Sequence, residues 1–240
     1  MMKITVINPN TSQSMTDHLD RELKKIKRDD TELEVTCPDR GPITIESAYD
    51  EAYAIPPTLE LVKKANDEGQ DAVILACFSD PGLEAAKEIS EIPVVGIEES
   101  TLHVAAMLGN KFTILTTLKE RIAAKTNDVK RFGLESSLAS VRALEMTVAE
   151  TDEYPEKAQE RIFEVARIAI EEDGAETFAL GCAGMAGYAK PVEEKLGAVV
   201  LDPSSVALKI AEAIVDGDLT QSKVGLFATP PEKEFKGYDL

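Results

Sequence analysis

The stretch DAVILACFSDPGLEAAKEI, residues 71–89, decides how this chain is read. Ala72–Ala76 is an unbroken apolar run with β-branched residues, the pattern of a strand buried on both faces. It ends in Cys77, and Ser79-Asp80-Pro81-Gly82 then breaks the strand before a helical pattern. Asp80 suits the N-cap of a helix starting at Pro81, since proline is tolerated in a first turn. A second stretch, ETFALGCAGMAGYAKPVEEKL at 176–196, has the same layout: an apolar run, Cys182, small residues, a helical pattern.

The two stretches fit a duplication. Gly69 and Gly174 each lie eight positions before the cysteine of their stretch, and Val94-Val95 and Val199-Val200 each start 17 positions after it. Upstream, KITVINP from Lys3 matches KFTILTT from Lys111 at a shift of 108, against 105 for the cysteines. One nearly constant shift carries three strands onto three others.

Short β-rich runs alternate with amphipathic ones along the chain. Strands are expected at 3–8, 32–36, 72–76, 94–97, 112–116, 140–144, 177–180 and 199–201. Helical patterns between them include SQSMTDHLDRELKKI, PTLELVKKANDEG, PEKAQERIFEVARIAIEEDG and SSVALKIAEAIVDG, several closing on glycine. This alternation predicts an α/β fold of two pseudo-symmetric lobes with mainly parallel sheets. Residues 1–97, with a return at 216–240, form the lobe that supplies Cys77, and residues 98–215 the lobe that supplies Cys182. Open α/β sheets bind ligands outside the carboxyl ends of their strands, so the site is expected in the cleft between the lobes.

A chain of 240 residues can bury a proper core, and 43% hydrophobic with 29% charged residues is ordinary for a soluble globular protein. The formal net charge of −18 argues against nucleic acid or an anionic membrane as partner. No apolar run approaches the ~20 residues of a membrane span. MMKITVINPN runs straight into a strand, so no signal peptide is expected. The odd count of three cysteines then points to reduced thiols in a cytoplasm. The two histidines, His18 and His103, sit at no ligand spacing from a cysteine, so no metal is expected.

A thiol at a strand end beside a helix start feels unsatisfied N–H groups and the helix dipole, which lower its pKa toward neutrality. Two such thiols across one cleft do not ionise together, leaving one as base and one as acid. That pair can invert a stereocentre, one sulfur removing a proton and the other delivering one from the opposite face. The carbon must lie beside a carbonyl whose developing charge meets hydrogen-bond donors. Candidate donors are the N–H groups at Phe78-Ser79 and Ala183-Gly184 and the hydroxyls of Ser79, Thr116 and Thr117. The glycines of GCAGMAG let backbone approach a ligand closely. No cofactor is needed. Cys37 has no counterpart in the other half and is assigned a structural role.

At INPNTS, GPITIES with Tyr49-Asp50, DAVILACFSDPGLEAAKEI, IPVVGI, FTILTT, EDGAETFALGCAGM and TPPEKEFKGY, the chain resembles the hydantoin racemases of the aspartate/glutamate racemase superfamily. The resemblance is collinear over nearly the full length. It implies a cofactor-independent enzyme with its site between two lobes and with Cys77 and Cys182 as the acid/base pair. It implies substrate contacts from Asn10, Phe78, Ser79, Thr116, Thr117, Ala183 and Gly184, and a pocket-lining loop at Ile43 and Thr44. Amino-acid racemases of the superfamily usually carry Asn-Thr and Thr-Glu after their cysteines, where this chain has Phe78-Ser79 and Ala183-Gly184. Superfamily decarboxylases keep one of the two cysteines. A hydantoin C5–H is acidified by its ring without an ammonium or carboxylate, and charged partners are not expected beside the cysteines apart from Asp80.

The sequence therefore predicts a cytoplasmic racemase of 5-substituted hydantoins or related cyclic ureides, with a small molecule as its partner. Ser79, often glycine in hydantoin racemases, keeps allantoin racemase open, and an aspartate/glutamate-type racemase is a further alternative. A non-catalytic small-molecule binding protein is the alternative from another class. Family members often associate, so a homo-oligomer is compatible with the resemblance, although no feature sets its size.

Overall fold

β1 (Met2–Ile7) leads into the Asn-Pro-Asn turn, where Ser12 starts α1 (Gln13–Ile26) by accepting the Met15 N–H at 3.3 Å. β2 (Thr31–Thr36) pairs parallel to β1, from Met2 opposite Thr31 to Ile7 opposite Thr36. α2 (Ala48–Asp67) begins at a reciprocal cap between Ser47 and Asp50. The helix expected from Pro57 thus starts nine residues earlier and contains Pro56 and Pro57. Proline costs a helix interior its i−4 hydrogen bonds, and the capping box and the acidic first turn of Asp50 and Glu51 offset part of that loss. β3 (Ala72–Leu75), α3 (Leu83–Ile89) and β4 (Val94–Gly96) complete a parallel sheet in the order β2-β1-β3-β4.

α4 (Ile97–Leu108) leads to the second sheet. There β5 (Phe112–Thr116), α5 (Ile122–Arg131), β6 (Leu138–Ala143), α6 (Val148–Glu153) and α7 (Pro155–Asp173) follow one another. β7 (Thr177–Leu180), α8 (Ala189–Leu196), β8 (Val199–Leu201) and α9 (Pro203–Asp216) come next. The strand order β6-β5-β7-β8 repeats that of the first sheet, and every pairing in both is parallel. All eight expected strands form, and the α/β fold with two matching parallel sheets is the one the duplication predicts. A computed structural model describes residues 1–234 and 236, so Phe235 and residues 237–240, with the end of TPPEKEFKGY, lie outside the described residues.

Burial on both sheet faces explains the unbroken apolar runs. Ile74 of β3 joins a central cluster with Val6, Phe112, Ile114 and Leu208, while Val73 and Leu75 join Val62 and Leu83 beneath α2 and α3. Phe178 and Leu180 of β7 pack in the same way with Ile162 and Val165 of α7. α4 and α9 pack on each other and reach across the halves: α9 also lies on β1, β3 and β4, and α4 on β7 and β8. Beyond α9 the chain returns to the edge of the first sheet. The Gln221 side chain accepts the Val94 N–H at 3.1 Å, and Lys223 donates to the Glu88 carbonyl at 2.7 Å. Among the described residues no helix is long and apolar enough to cross a membrane.

Candidate active site

The carboxyl ends of β1, β3, β5 and β7 converge. The Ala76 N–H donates to the Ile7 carbonyl at 2.8 Å, which brings Cys77 beside Asn8. In the second half the Gly181 N–H donates to the Leu115 carbonyl at 2.9 Å, which brings Cys182 beside Thr116. A Cβ at 181 would stand 2.7 Å from the Leu115 oxygen, so glycine permits this close approach.

One cavity of about 50 Å³ lies between these ends. Asn10, Cys77, Phe78 and Ser79 line it from the first half, and Thr116, Thr117, Cys182 and Ala183 from the second. Gly184 lies behind this lining, where its N–H donates to the Cys182 Sγ at 3.4 Å. Nearby, the Ser79 Oγ stands 3.5 Å from the Cys77 Sγ. Ile43 is 63% exposed, and the loop instead presents Ile45 and Glu46 to the cavity. Cys37 is outside the cavity lining, its Sγ 3.8 Å from Gln13 Oε1. At this volume the cavity has room for a few waters.

Charged groups do stand at the cavity, contrary to the expectation from sequence. Glu46, Glu51, Arg121 and Lys125 line it together with Asn8. Each charge is held by the protein itself. Arg121 pairs with Glu51, and Glu46 Oε1 accepts the Val148 N–H at 2.7 Å. Lys125 Nζ donates to Glu98 at 2.8 and 2.9 Å and to Asp128 at 2.9 Å. The charged lining residues come from two stretches, 46–51 and 121–125, that lie outside both cysteine motifs; the one faint signal is Arg121 and Lys125 a single helical turn apart.

Two further expectations are corrected. Asp80 does not cap a helix at Pro81: α3 starts at Leu83 with Gly82 as its cap residue. Asp80 adopts a left-handed φ of 44° and instead accepts the N–H groups of Glu98 and Glu99, capping α4. The thiols are not lowered toward neutrality either. Burial pushes Cys77 up to about 12, against the hydrogen bond from Ser79. It pushes Cys182 up to about 11, against the Gly184 N–H. No long helix begins beside either sulfur, only a turn after Cys77 and the single 3-10 turn Ala183–Met185 after Cys182, so desolvation prevails. Among the described residues no group of three or more His, Cys, Asp or Glu is placed to hold a metal ion.

Two parallel sheets of one strand order thus carry a thiol at the lip of each, with one cavity between, in an α/β fold. The Asp/Glu/Hydantoin racemase family model matches residues 4–211, and the chain belongs to that family. It is 41% identical to hydantoin racemase of Pseudomonas sp. (strain NS671), over 98% of this chain and 95% of that one. It is 36% identical to hydantoin racemase of Paenarthrobacter aurescens, over 98% and 100% of the two chains. Among solved structures, allantoin racemase from Klebsiella pneumoniae superimposes with a TM-score of 0.95 at 34% identity, covering 99% of this chain and 97% of that one. The family resemblance read from the motifs therefore holds, and the protein is an isomerase of the racemase class.

Proposed function

We propose that the protein racemises 5-substituted hydantoins or related cyclic ureides without a cofactor, by proton transfer between C5 and two cysteines. The observation that carries this reading is that Cys77 and Cys182, one from each half, line a single cavity. One sulfur takes the C5 proton as thiolate, and the other gives a proton from the opposite face as thiol. The roles exchange for the other enantiomer. The intervening enolate oxygen is met by neutral donors, with Asn10, Ser79, Thr116, Thr117 and the backbone at Phe78 and Ala183 in reach of the ring, while the Gly184 N–H acts on the Cys182 sulfur. In this reading the halves 1–97 with 216–240 and 98–215 contribute one sulfur each. The reaction belongs in a cytoplasm, where thiols stay reduced.

The charged groups at the cavity support a neutral ring over a zwitterion. Arg121 and Lys125 are both engaged by carboxylates of the protein, so neither cation is left bare to hold a free carboxylate. Allantoin is itself a 5-substituted hydantoin, and the close superposition on an allantoin racemase favours including it. Single enantiomers of 5-alkylhydantoins, of allantoin and of aspartate and glutamate in D2O, followed by polarimetry and NMR, test the reading. Loss of rotation with deuterium at C5 of a cyclic ureide is expected. Exchange confined to the free amino acids, or binding without exchange, would overturn it.

A further inference from the structure

Lys125 was given no part by the sequence, yet it is 2% exposed in the cavity wall and bound on three sides by carboxylate oxygens of Glu98 and Asp128. Glu98 is fully buried. Such a pair is a weak source of stability, because removing two charges from water offsets most of their attraction. Its place in the wall of the cavity that Cys77 also lines gives it another use. The Lys125 ammonium stands 5.6 Å from the ring centroid of Phe78, the residue next to Cys77.

The groups acting on the two sulfurs differ in sign. Cys77 faces Ser79, Cys182, Lys125 and Glu51, and the last of these is paired with Arg121. Cys182 faces the Gly184 N–H and the carboxylates of Glu46 and Asp152. Around Lys125 itself stand Glu98, Asp128 and, through the cap of α4, Asp80. A cation thus stands among the charges acting on Cys77, set against Cys182 and Glu51, whereas the charges acting on Cys182 are carboxylates.

We propose that Lys125 is a positioning residue for the reaction: fixed by Glu98 and Asp128 beside Phe78, its ammonium supplies the positive charge against which the Cys77 sulfur becomes a thiolate. The inference rests on the two-cysteine reading above. The Cys77 proton leaves to solvent, and the Lys125 proton stays in place throughout. Lys125 thus acts through Cys77, and among the described residues no cation is set against Cys182 in the same way.

The test measures the thiols one at a time. In a Cys37→Ser/Cys182→Ser background, iodoacetamide alkylation of Cys77 at pH 9 is followed by mass spectrometry. Lys125→Met is expected to slow it about tenfold, the effect of removing an opposite charge from a thiolate's surroundings. The double variant Lys125→Met/Glu98→Gln removes the buried pair together and should keep the fold; since Lys125 and not Glu98 acts on Cys77, it should still slow alkylation, by less than Lys125→Met alone. Cys182 alkylation, measured in a Cys37→Ser/Cys77→Ser background, should change less than about twofold. An unchanged Cys77 rate in the folded double variant, or faster alkylation of both thiols as in a loosened structure, overturns the proposal. Alkylation uses no substrate, so failure to turn over any hydantoin would count against the substrate reading and leave this result standing.

Discussion

The Asp80 carboxylate accepts the backbone N–H of Glu98 at 3.0 Å, and its other oxygen accepts that of Glu99 at 2.8 Å. The loop that follows Cys77 is thereby fastened to the start of α4, the helix that packs on α9 and reaches the second sheet. A capping aspartate normally belongs to its own helix; here it caps one that begins 17 residues later in the chain.

Gly96 is needed for that fastening. A Cβ at 96 would stand 2.3 Å from Asp80 Oδ2, in the space the cap occupies. Gly96→Ala should destabilise the fold by about 1–3 kcal/mol through overpacking. Urea denaturation checks this, and racemase activity should fall with it because the Cys77 loop loses its anchor.

Stability should decline as pH rises through neutrality. Burial raises the Asp80 carboxyl to about 7. Between about pH 4 and pH 7 the folded chain then holds a proton that the unfolded chain has released. By linkage, the stabilisation present at the acid end of that window is lost as pH passes the raised value. Denaturation midpoints at pH 5, 6, 7 and 8 test this, and Asp80→Asn should flatten the decline.

Each cysteine is expected to be indispensable. Cys77→Ser and Cys182→Ser should each reduce racemisation by about 10²–10⁴-fold, the range for loss of a positioned acid or base. Deuterium incorporation into one enantiomer can survive in either variant, because the remaining sulfur still faces C5 from one side. Full racemase activity in either variant would rule out the paired mechanism.

The pH–rate profile should report the buried thiols. With Cys77 raised to about 12 and Cys182 to about 11, the free enzyme carries little thiolate at neutral pH. Accordingly kcat/KM for a 5-alkylhydantoin should climb from pH 7 to pH 10, since it follows ionisation of the free enzyme. A plateau already reached by pH 7 would mean that the thiols are far less shielded than their burial implies.

The sequence by itself determined the strands, their pairing into two matching halves and the two cysteines at equivalent places. These features are local: a strand buried on both faces must be apolar at successive positions, and a duplicated unit keeps its spacing. Asn10, Ser79 and Thr116, which the structure places in the cavity lining, sit in short motifs, and Asn10 among them was read only through the family resemblance. Only the tertiary structure decided the rest. Glu46, Glu51, Arg121 and Lys125 reach the cavity from separate segments, Asp80 finds its helix in another element, and the thiols rise rather than fall in pKa. Electrostatics and desolvation depend on which groups meet in space and on how much water they lose, and a linear pattern records neither.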